Sequence, residues 1–182
     1  MVVHSLMQQL EYSFSKEGKL DQIYRQYFST MGGIKRIARE NFNMKKQHNG
    51  VDSKIELCDG EHITVQEKWR TREYTGDLLI EYCSVYQSGV EVKTGWIDTI
   101  NSHYMFVVYA PSQVVKIYPV AQLKRAWTLN KDVWKKKYRM PNVYNKGYIT
   151  LCVAVPEDIL QKSMWETTSM QYKLDLPNAG NL

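Results

Sequence analysis

The chain has 182 residues, of which 43% are hydrophobic and 24% charged, a composition typical of a globular protein with a substantial core. No apolar run approaches the ~20 residues of a membrane span, and the start has neither a basic region nor a small-residue cleavage site, so neither a membrane span nor a signal peptide is expected. Cys58, Cys83 and Cys152 match no zinc or disulfide spacing. They indicate reduced thiols in a cytoplasmic protein without membrane contact. P-loop and Rossmann glycine motifs are absent.

Positive charge is concentrated in two segments. The net charge is +5, yet Lys35 to His48 holds five basic residues and one acid, and Lys124 to Arg139 holds seven and one. Such segments suit a polyanion, although a solvated charged face is the alternative. We predict that nucleic-acid phosphates are contacted by Lys45, Lys46, Lys135, Lys136, Lys137 and Arg139.

Residues 1–50 are expected to be helical. An apolar stripe of helical period runs from Val3 to Phe14, and a second covers Ile23 to Phe28 before Gly32-Gly33 ends it. A third, basic helix is predicted over Ile34 to Met44.

A hairpin follows, because the apolar-alternating runs Val51–Leu57 and Ile63–Trp69 flank Cys58-Asp59-Gly60. Two registers are open. A two-residue Asp59-Gly60 loop would put Asp52 on the wrong face. A three-residue loop with Gly60 left-handed sets Asp52 opposite Gln66, with Lys68 on the same face. We predict the three-residue loop, or a bulge with the same effect.

Later elements alternate between strands and helices. Asp77–Tyr82 is expected to be a third antiparallel strand, with Asp77, Leu79 and Glu81 on one face. The remaining expected elements are a short helix or turn at Gly95–Ile100, strands at Tyr104–Tyr109 and Val114–Tyr118, a helix at Val120–Asn130, an irregular basic segment at Asn130–Lys146, a strand at Tyr148–Val155 and a helix at Glu157–Trp165.

This order predicts one α/β domain over residues 1–182, with a mixed central β-sheet flanked by helices. Its parts are the helical residues 1–50, a sheet core with the hairpin at 51–118, basic helical and strand additions at 119–166, and a tail at 167–182.

Asp52 followed by Gln66-x-Lys68 resembles the active-site hairpin of the PD-(D/E)XK nuclease superfamily, with glutamine where relatives usually carry a carboxylate. Similarity to small phage-type and restriction-type nucleases extends to the Gln47–Asp52 stretch (Q-x-x-G-[IV]-D), to Asp77–Tyr82 and to Gly95-Trp96. The resemblance implies a restriction-endonuclease-like αβββαβ core and a Mg²⁺- or Mn²⁺-dependent endonuclease.

The resemblance implies that Asp52 binds the metal, Gln66 supplies a neutral oxygen and Glu67 contributes its backbone carbonyl. The side chain of Glu67 is expected to point to the other face. Lys68 orients or deprotonates the attacking water, or holds the scissile phosphate. Because glutamine removes one negative charge, a further acid is expected. Glu81 is the first candidate, ahead of Glu11 and Glu40.

The expected partner is nucleic acid, with DNA favoured and RNA left open, as is a homodimer. The alternative function is a non-catalytic nucleic-acid-binding or inhibitory protein on the same fold.

Overall fold

A computed structural model describes residues 18, 20–39, 50–70, 76–109 and 114–174, with side chains described up to residue 166. The helix predicted over Val3–Phe14 and the candidate residues Glu11, Glu40, Lys45 and Lys46 lie outside these ranges. The helices within them are α1 (residues 20–28), α2 (Trp96–Thr99), α3 (Val120–Lys137) and α4 (Glu157–Leu174), and a 3₁₀ turn at Ser29–Met31 follows α1. None of these helices is long and apolar enough to cross a membrane.

The described strands form two sheets, so the mixed α/β class is confirmed. A five-stranded mixed sheet has the order β1-β2-β3-β6-β7, and its strands are β1 (Ile34–Arg39), β2 (Ser53–Leu57), β3 (His62–Arg70), β6 (Tyr104–Tyr109) and β7 (Val114–Pro119). A four-stranded antiparallel sheet has the order β5-β4-β9-β8, and its strands are β4 (Asp77–Gln87), β5 (Val90–Thr94), β8 (Val143–Asn145) and β9 (Tyr148–Pro156).

The predicted third strand therefore exists as the start of β4, but it does not continue the hairpin's sheet. The reason is that β3 has no free edge. It pairs with β2 on one side and runs parallel to β6 on the other. β4 instead pairs with β5 and β9.

Side-chain alternation in β6 assigns the two faces of the first sheet. Phe106 and Val108 join the apolar cluster built on α1, whereas Met105 and Val107 join the larger cluster that contains α3, α4 and residues of the second sheet. Gln66 and Lys68 in β3 are paired with Met105 and Val107. Because directly paired residues share a face, the polar residues of the hairpin lie on the side of the larger cluster.

The helix predicted over Ile34 to Met44 is wrong over its first half, which forms β1. A β-bulge between Ile34 and Arg36 inserts one residue into the strand. The bulge puts Ile34 and Ile37 opposite Leu57 and Ile55, which both face the α1 cluster. A spacing of three residues on one face is the spacing of a helix, and this explains the error.

The helix predicted over Val120–Asn130 is real but longer. It continues to Lys137, so the expected irregular segment begins only after it. Trp127 and Trp134, seven residues apart, are both buried and extend the apolar stripe by two turns. Three lysines in the last turn suit the negative end of the helix dipole.

Candidate active site

The hairpin has the predicted three-residue loop. The backbone N–H of Leu57 donates to the carbonyl of Glu61 at 2.9 Å, and Gly60 is left-handed with φ 92°. The resulting register places Asp52 and Gln66 as cross-strand neighbours, and the Gln66 side-chain Nε2 donates to Asp52 Oδ2 at 2.8 Å. The geometric prediction for this pair is confirmed.

The Asp52 carboxylate lies in a partly buried position with a second donor. The backbone N–H of Glu67 donates to the same Oδ2 atom at 2.7 Å. Burial raises the pKa of Asp52 above its ordinary value, while the Glu67 N–H and the positive charges of Lys68 and Arg39 oppose the rise. An ionised Asp52 is therefore costly here, and a further cation beside it would be favourable.

Gly50 packs directly against the Gln66 amide. Its φ is 66°, and a Cβ at this position would lie 2.8 Å from Gln66 Oε1 and 2.9 Å from the Ile100 Cα. Only glycine combines this left-handed backbone with such a close approach. The Gln66 amide is thus held between Asp52 and the backbone of Gly50.

Lys68 lies on the same face as Asp52, and the negative charge of Glu81 also acts on its pKa. Burial lowers the pKa of Lys68, and the carboxylates of Asp52 and Glu81 oppose that shift. The Lys68 ammonium is 5.7 Å from the centroid of the Trp96 ring, a cation–π distance. The Glu81 carboxylate also accepts a hydrogen bond from Ser84 Oγ at 2.5 Å. The structure thus pairs Asp52 with Gln66, sets Lys68 on the same face, and places Glu81 where its charge acts on Lys68.

The start of α2 joins the two sheets at this point. The backbone N–H of Gly95 donates to the Tyr82 carbonyl at 3.0 Å, and a Cβ on Gly95 would lie 2.2 Å from the Glu81 carbonyl oxygen. Any larger residue would separate α2 from β4 and move Trp96 relative to Lys68. The Gly95-Trp96 dipeptide was noticeable in the sequence, but its position over Lys68 was not predicted.

The Glu67 side chain points to the opposite face, as the alternation predicts. Its Oε1 accepts hydrogen bonds from Tyr24 Oη at 2.5 Å, Arg39 Nη1 at 2.6 Å and Ser53 Oγ at 2.7 Å. Arg39 also pairs with Asp21 of α1. Burial, with the adjacent Glu67 carboxylate, raises the pKa of Tyr24 far above its ordinary value. This network holds the peptide whose N–H binds Asp52, and nothing in the sequence reading indicated it.

Basic residues at the end of α3 have varied surroundings. The Lys135 ammonium lies 4.0 Å from the centroid of the Tyr82 ring. Tyr82 directly follows Glu81 in the sequence. Lys136 is exposed, and the Lys137 ammonium lies 5.6 Å from the Tyr138 ring centroid. Arg139 pairs with Asp77 at 3.4 Å. Lys135 is therefore already engaged within the fold, whereas Lys136 is accessible to a phosphate.

The candidate ligands are carboxylate and amide oxygens, the type of donor that Mg²⁺ prefers. Mg²⁺ is commonly held by one or two carboxylates and keeps several waters, and Asp52, Glu81 and the Gln66 amide oxygen offer that set. Within the described part of the chain, no three His, Cys, Asp or Glu residues are grouped closely enough to hold a metal by themselves.

Comparisons of the chain with protein-family models, with curated proteins and with solved structures found no match. Function is therefore inferred from the geometry of the hairpin, from α2 and from the charges around them.

Proposed function

We propose that the protein is a metal-dependent nuclease of the PD-(D/E)XK type that hydrolyses phosphodiester bonds, preferentially in DNA. One observation carries the proposal: the register of the β2–β3 hairpin sets Asp52 against Gln66 with Lys68 on the same face. A one-residue slip would have separated these side chains. The lowered pKa of Lys68 adds a chemical reason, since perturbed lysines are frequent in active sites.

Element order supports the nuclease core. Helix α1, strands β1, β2 and β3, helix α2 and the parallel strand β6 follow one another as αβββαβ, with the β4–β5 hairpin inserted before α2. In this interpretation the three strands before the crossover are β1 to β3, and β4 contributes Glu81 from outside the core sheet.

A bound Mg²⁺ or Mn²⁺ ion would activate water and neutralise charge on the phosphate. The residues that would hold it are Asp52, Glu81, the Gln66 amide oxygen and the Glu67 backbone carbonyl. In the structure Gln66 Nε2 donates to Asp52 Oδ2 while Oε1 packs against Gly50, so a rotation of the amide would turn its oxygen towards the ion. Glu11 and Glu40 remain candidates for a further acid.

The chain's own chemistry centres on Lys68. Its burial favours the neutral amine, which can accept a proton from the attacking water. The Trp96 ring, with its centroid 5.7 Å from the Lys68 ammonium, favours the protonated form by a cation–π contact. The carboxylates of Asp52 and Glu81 oppose the effect of burial, because both stabilise the protonated form of Lys68.

A non-catalytic nucleic-acid-binding or inhibitory protein is the second candidate. It is favoured by the Asp52 carboxylate, whose Oδ2 atom accepts two hydrogen bonds from groups of the chain itself. No three His, Cys, Asp or Glu residues of the described part of the chain are grouped closely enough to hold a metal, which also favours a non-catalytic protein. Cleavage activity separates the two candidates.

Asp52→Ala should reduce cleavage by at least about 100-fold, because it removes the best-placed carboxylate for the metal. Wild-type and variant proteins would be incubated with plasmid, single-stranded and branched DNA, and with RNA, in Mg²⁺ or Mn²⁺. Asp59→Asn, in the loop of the same hairpin, removes an exposed carboxylate but keeps the acceptor for the Glu61 N–H, so this control should cleave normally. Absence of cleavage by the wild type on every substrate would favour the second candidate.

Glu81→Gln should lower cleavage and apparent metal affinity by about 10- to 100-fold while the fold is kept. The substitution removes the negative charge but retains an acceptor for Ser84 Oγ. Metal titrations of the cleavage rate would measure the effect, with circular dichroism and melting as checks on the fold. Glu91→Gln, on the exposed strand β5, is the control. Full activity of Glu81→Gln would transfer the role to Glu11 or Glu40.

A further inference from the structure

Arg70 is the last residue of β3 and lies on the face that carries Gln66 and Lys68. Side chains two residues apart on a strand point to the same side, so these three residues form a row. The residue paired with Arg70 in β6 is Tyr109, which belongs to the larger apolar cluster on that side. Arg70 is partly buried. It therefore extends the polar row of the proposed active site by one position.

A hydrogen bond holds the Arg70 guanidinium against β4. Its Nη2 atom donates to the Leu79 carbonyl at 3.3 Å, two residues before Glu81. Glu81 is paired with Cys152 of β9. Burial and the Glu81 carboxylate raise the pKa of the Cys152 thiol to about 11, and the positive charge of Arg70 opposes the rise. The guanidinium thus lies near the part of β4 that contributes Glu81 to the site.

The charge of Arg70 also acts on Lys68. Burial lowers the pKa of Lys68, and the nearby guanidinium lowers it further. Two positive charges on one strand face repel each other, and an anion that contacts both removes that repulsion. Asp52 and Glu81 also lie near Lys68, but they are the proposed metal ligands and would balance the charge of the ion. The two cations therefore favour a negatively charged substrate group at this face.

Arg70 differs from other arginines of the fold in its partners. The partly buried Arg39 is paired with Glu67. Arg139 is paired with Asp77. Among the residues that the structure describes, no carboxylate is ion-paired with Arg70. A guanidinium has five N–H donors, of which the bond to β4 uses one, and its planar fork matches two oxygens of a phosphate.

We propose that Arg70 is a substrate-binding residue, whose guanidinium binds two oxygens of the phosphate next to Lys68. The inference rests on the proposed function, which supplies the ligand, a nucleic-acid phosphodiester. The bond to the Leu79 carbonyl holds the guanidinium in place, so little side-chain freedom is lost on binding. With the phosphate held by Arg70, Lys68 is left to act on the attacking water, which separates the two roles open to that lysine.

Arg70→Gln should reduce kcat/KM for cleavage by about 10- to 100-fold, the effect of losing hydrogen bonds between charged groups. Arg70→Lys keeps the charge and a donor for the Leu79 carbonyl but loses the planar fork, so its loss should be intermediate. It also carries the test if Arg70→Gln does not fold. Arg25→Gln is the control and should cleave normally, because Arg25 is an exposed arginine of α1, which packs on the opposite face of the sheet.

Binding measured in EDTA separates this role from cleavage. The probes are a fluorescein-labelled single-stranded oligonucleotide and its duplex, and fluorescence anisotropy gives the affinity at several KCl concentrations. Loss of one phosphate contact in Arg70→Gln should weaken binding and reduce the log–log salt slope by about one unit. Arg25→Gln should leave the slope unchanged. Thermal melting of each variant checks the fold.

A lower melting temperature of Arg70→Gln with wild-type affinity, salt slope and kcat/KM would overturn the inference, because Arg70 would then only tie β3 to β4. If Arg70→Gln weakens binding and flattens the slope but the wild type cleaves no substrate, the nuclease proposal fails alone. If the wild type cleaves and Arg70→Gln keeps its kcat/KM and salt slope, the Arg70 proposal fails alone.

Discussion

Lys68→Met should reduce metal-dependent cleavage by about 10²- to 10⁴-fold, the range for loss of a positioned acid–base group. Methionine loses the cation–π contact, but its flexible side chain can fill the same space and its sulfur can pack against the Trp96 ring, so the fold should survive. Single-turnover cleavage rates at saturating metal would measure the chemical step. Circular dichroism and thermal melting would confirm that the variant is folded. A rate within about tenfold of the wild type would exclude Lys68 from the chemistry.

The pH profile identifies the form of Lys68 that acts. Burial lowers its pKa, so the neutral amine is present at lower pH than for an exposed lysine. If the amine is the base, the rate rises with pH and reaches a plateau above that pKa. If the ammonium holds the phosphate, the rate falls there instead.

Lys68→Arg sharpens the distinction, because guanidinium stays charged at all relevant pH values. We expect the rising profile in the wild type and loss of activity in Lys68→Arg. Retained activity in Lys68→Arg with a flat profile would assign Lys68 to the phosphate.

The hairpin register could be predicted because it is local. A three-residue loop needs a left-handed residue, and Gly60 supplies it with φ 92°. Once the loop length is known, the pairing of Asp52 with Gln66 follows by counting along two strands. The face of Lys68 follows from strand alternation alone.

Other parts of the molecule depended on distant pairing, which one sequence does not display. No local sequence pattern marks the bulge in β1, which gave that strand the apolar spacing of a helix. The parallel pairing of β6 with β3, which leaves β4 to a second sheet, has no local pattern either. Strands β5 and β8 were not recognised because both are short and exposed along their length. The contact of Lys135 with Tyr82 was likewise invisible, since it joins α3 to β4.

The buried network behind the hairpin was the largest omission, and it has a structural basis. Tyr24, Arg39, Ser53 and Glu67 come from four separate segments, and each is unremarkable in its own sequence context. Together they place three donors on one carboxylate oxygen. Glu67 links the two faces of β3. Its side chain is held by this network on one face, while its backbone N–H donates to Asp52, which lies on the other.

Arg39→Met should destabilise the protein by about 3–5 kcal/mol, the cost of leaving one charge of a buried pair without its partner. The side chains of Arg39 and Glu67 are only 13% and 12% exposed, so water cannot replace the lost donor. For a chain of this size the melting temperature should fall by roughly 6–20 °C. Denaturant unfolding would give the free-energy change directly. Lys35 lies on the same strand as Arg39 and makes an exposed pair with Glu56 of β2. Lys35→Met is therefore the matched control and should change stability little.

A double-mutant cycle separates the pair from general damage to α1. In Arg39→Met with Glu67→Gln the buried charge is gone, and glutamine can still accept hydrogen bonds from Tyr24 and Ser53. The double variant should therefore recover part of the stability that Arg39→Met loses. Additive losses, or a single variant within about 1 kcal/mol of the wild type, would contradict an ion pair that supports the hairpin. Because the Glu67 N–H binds Asp52, Arg39→Met should also weaken cleavage at temperatures where the protein is still folded, and Lys35→Met should not.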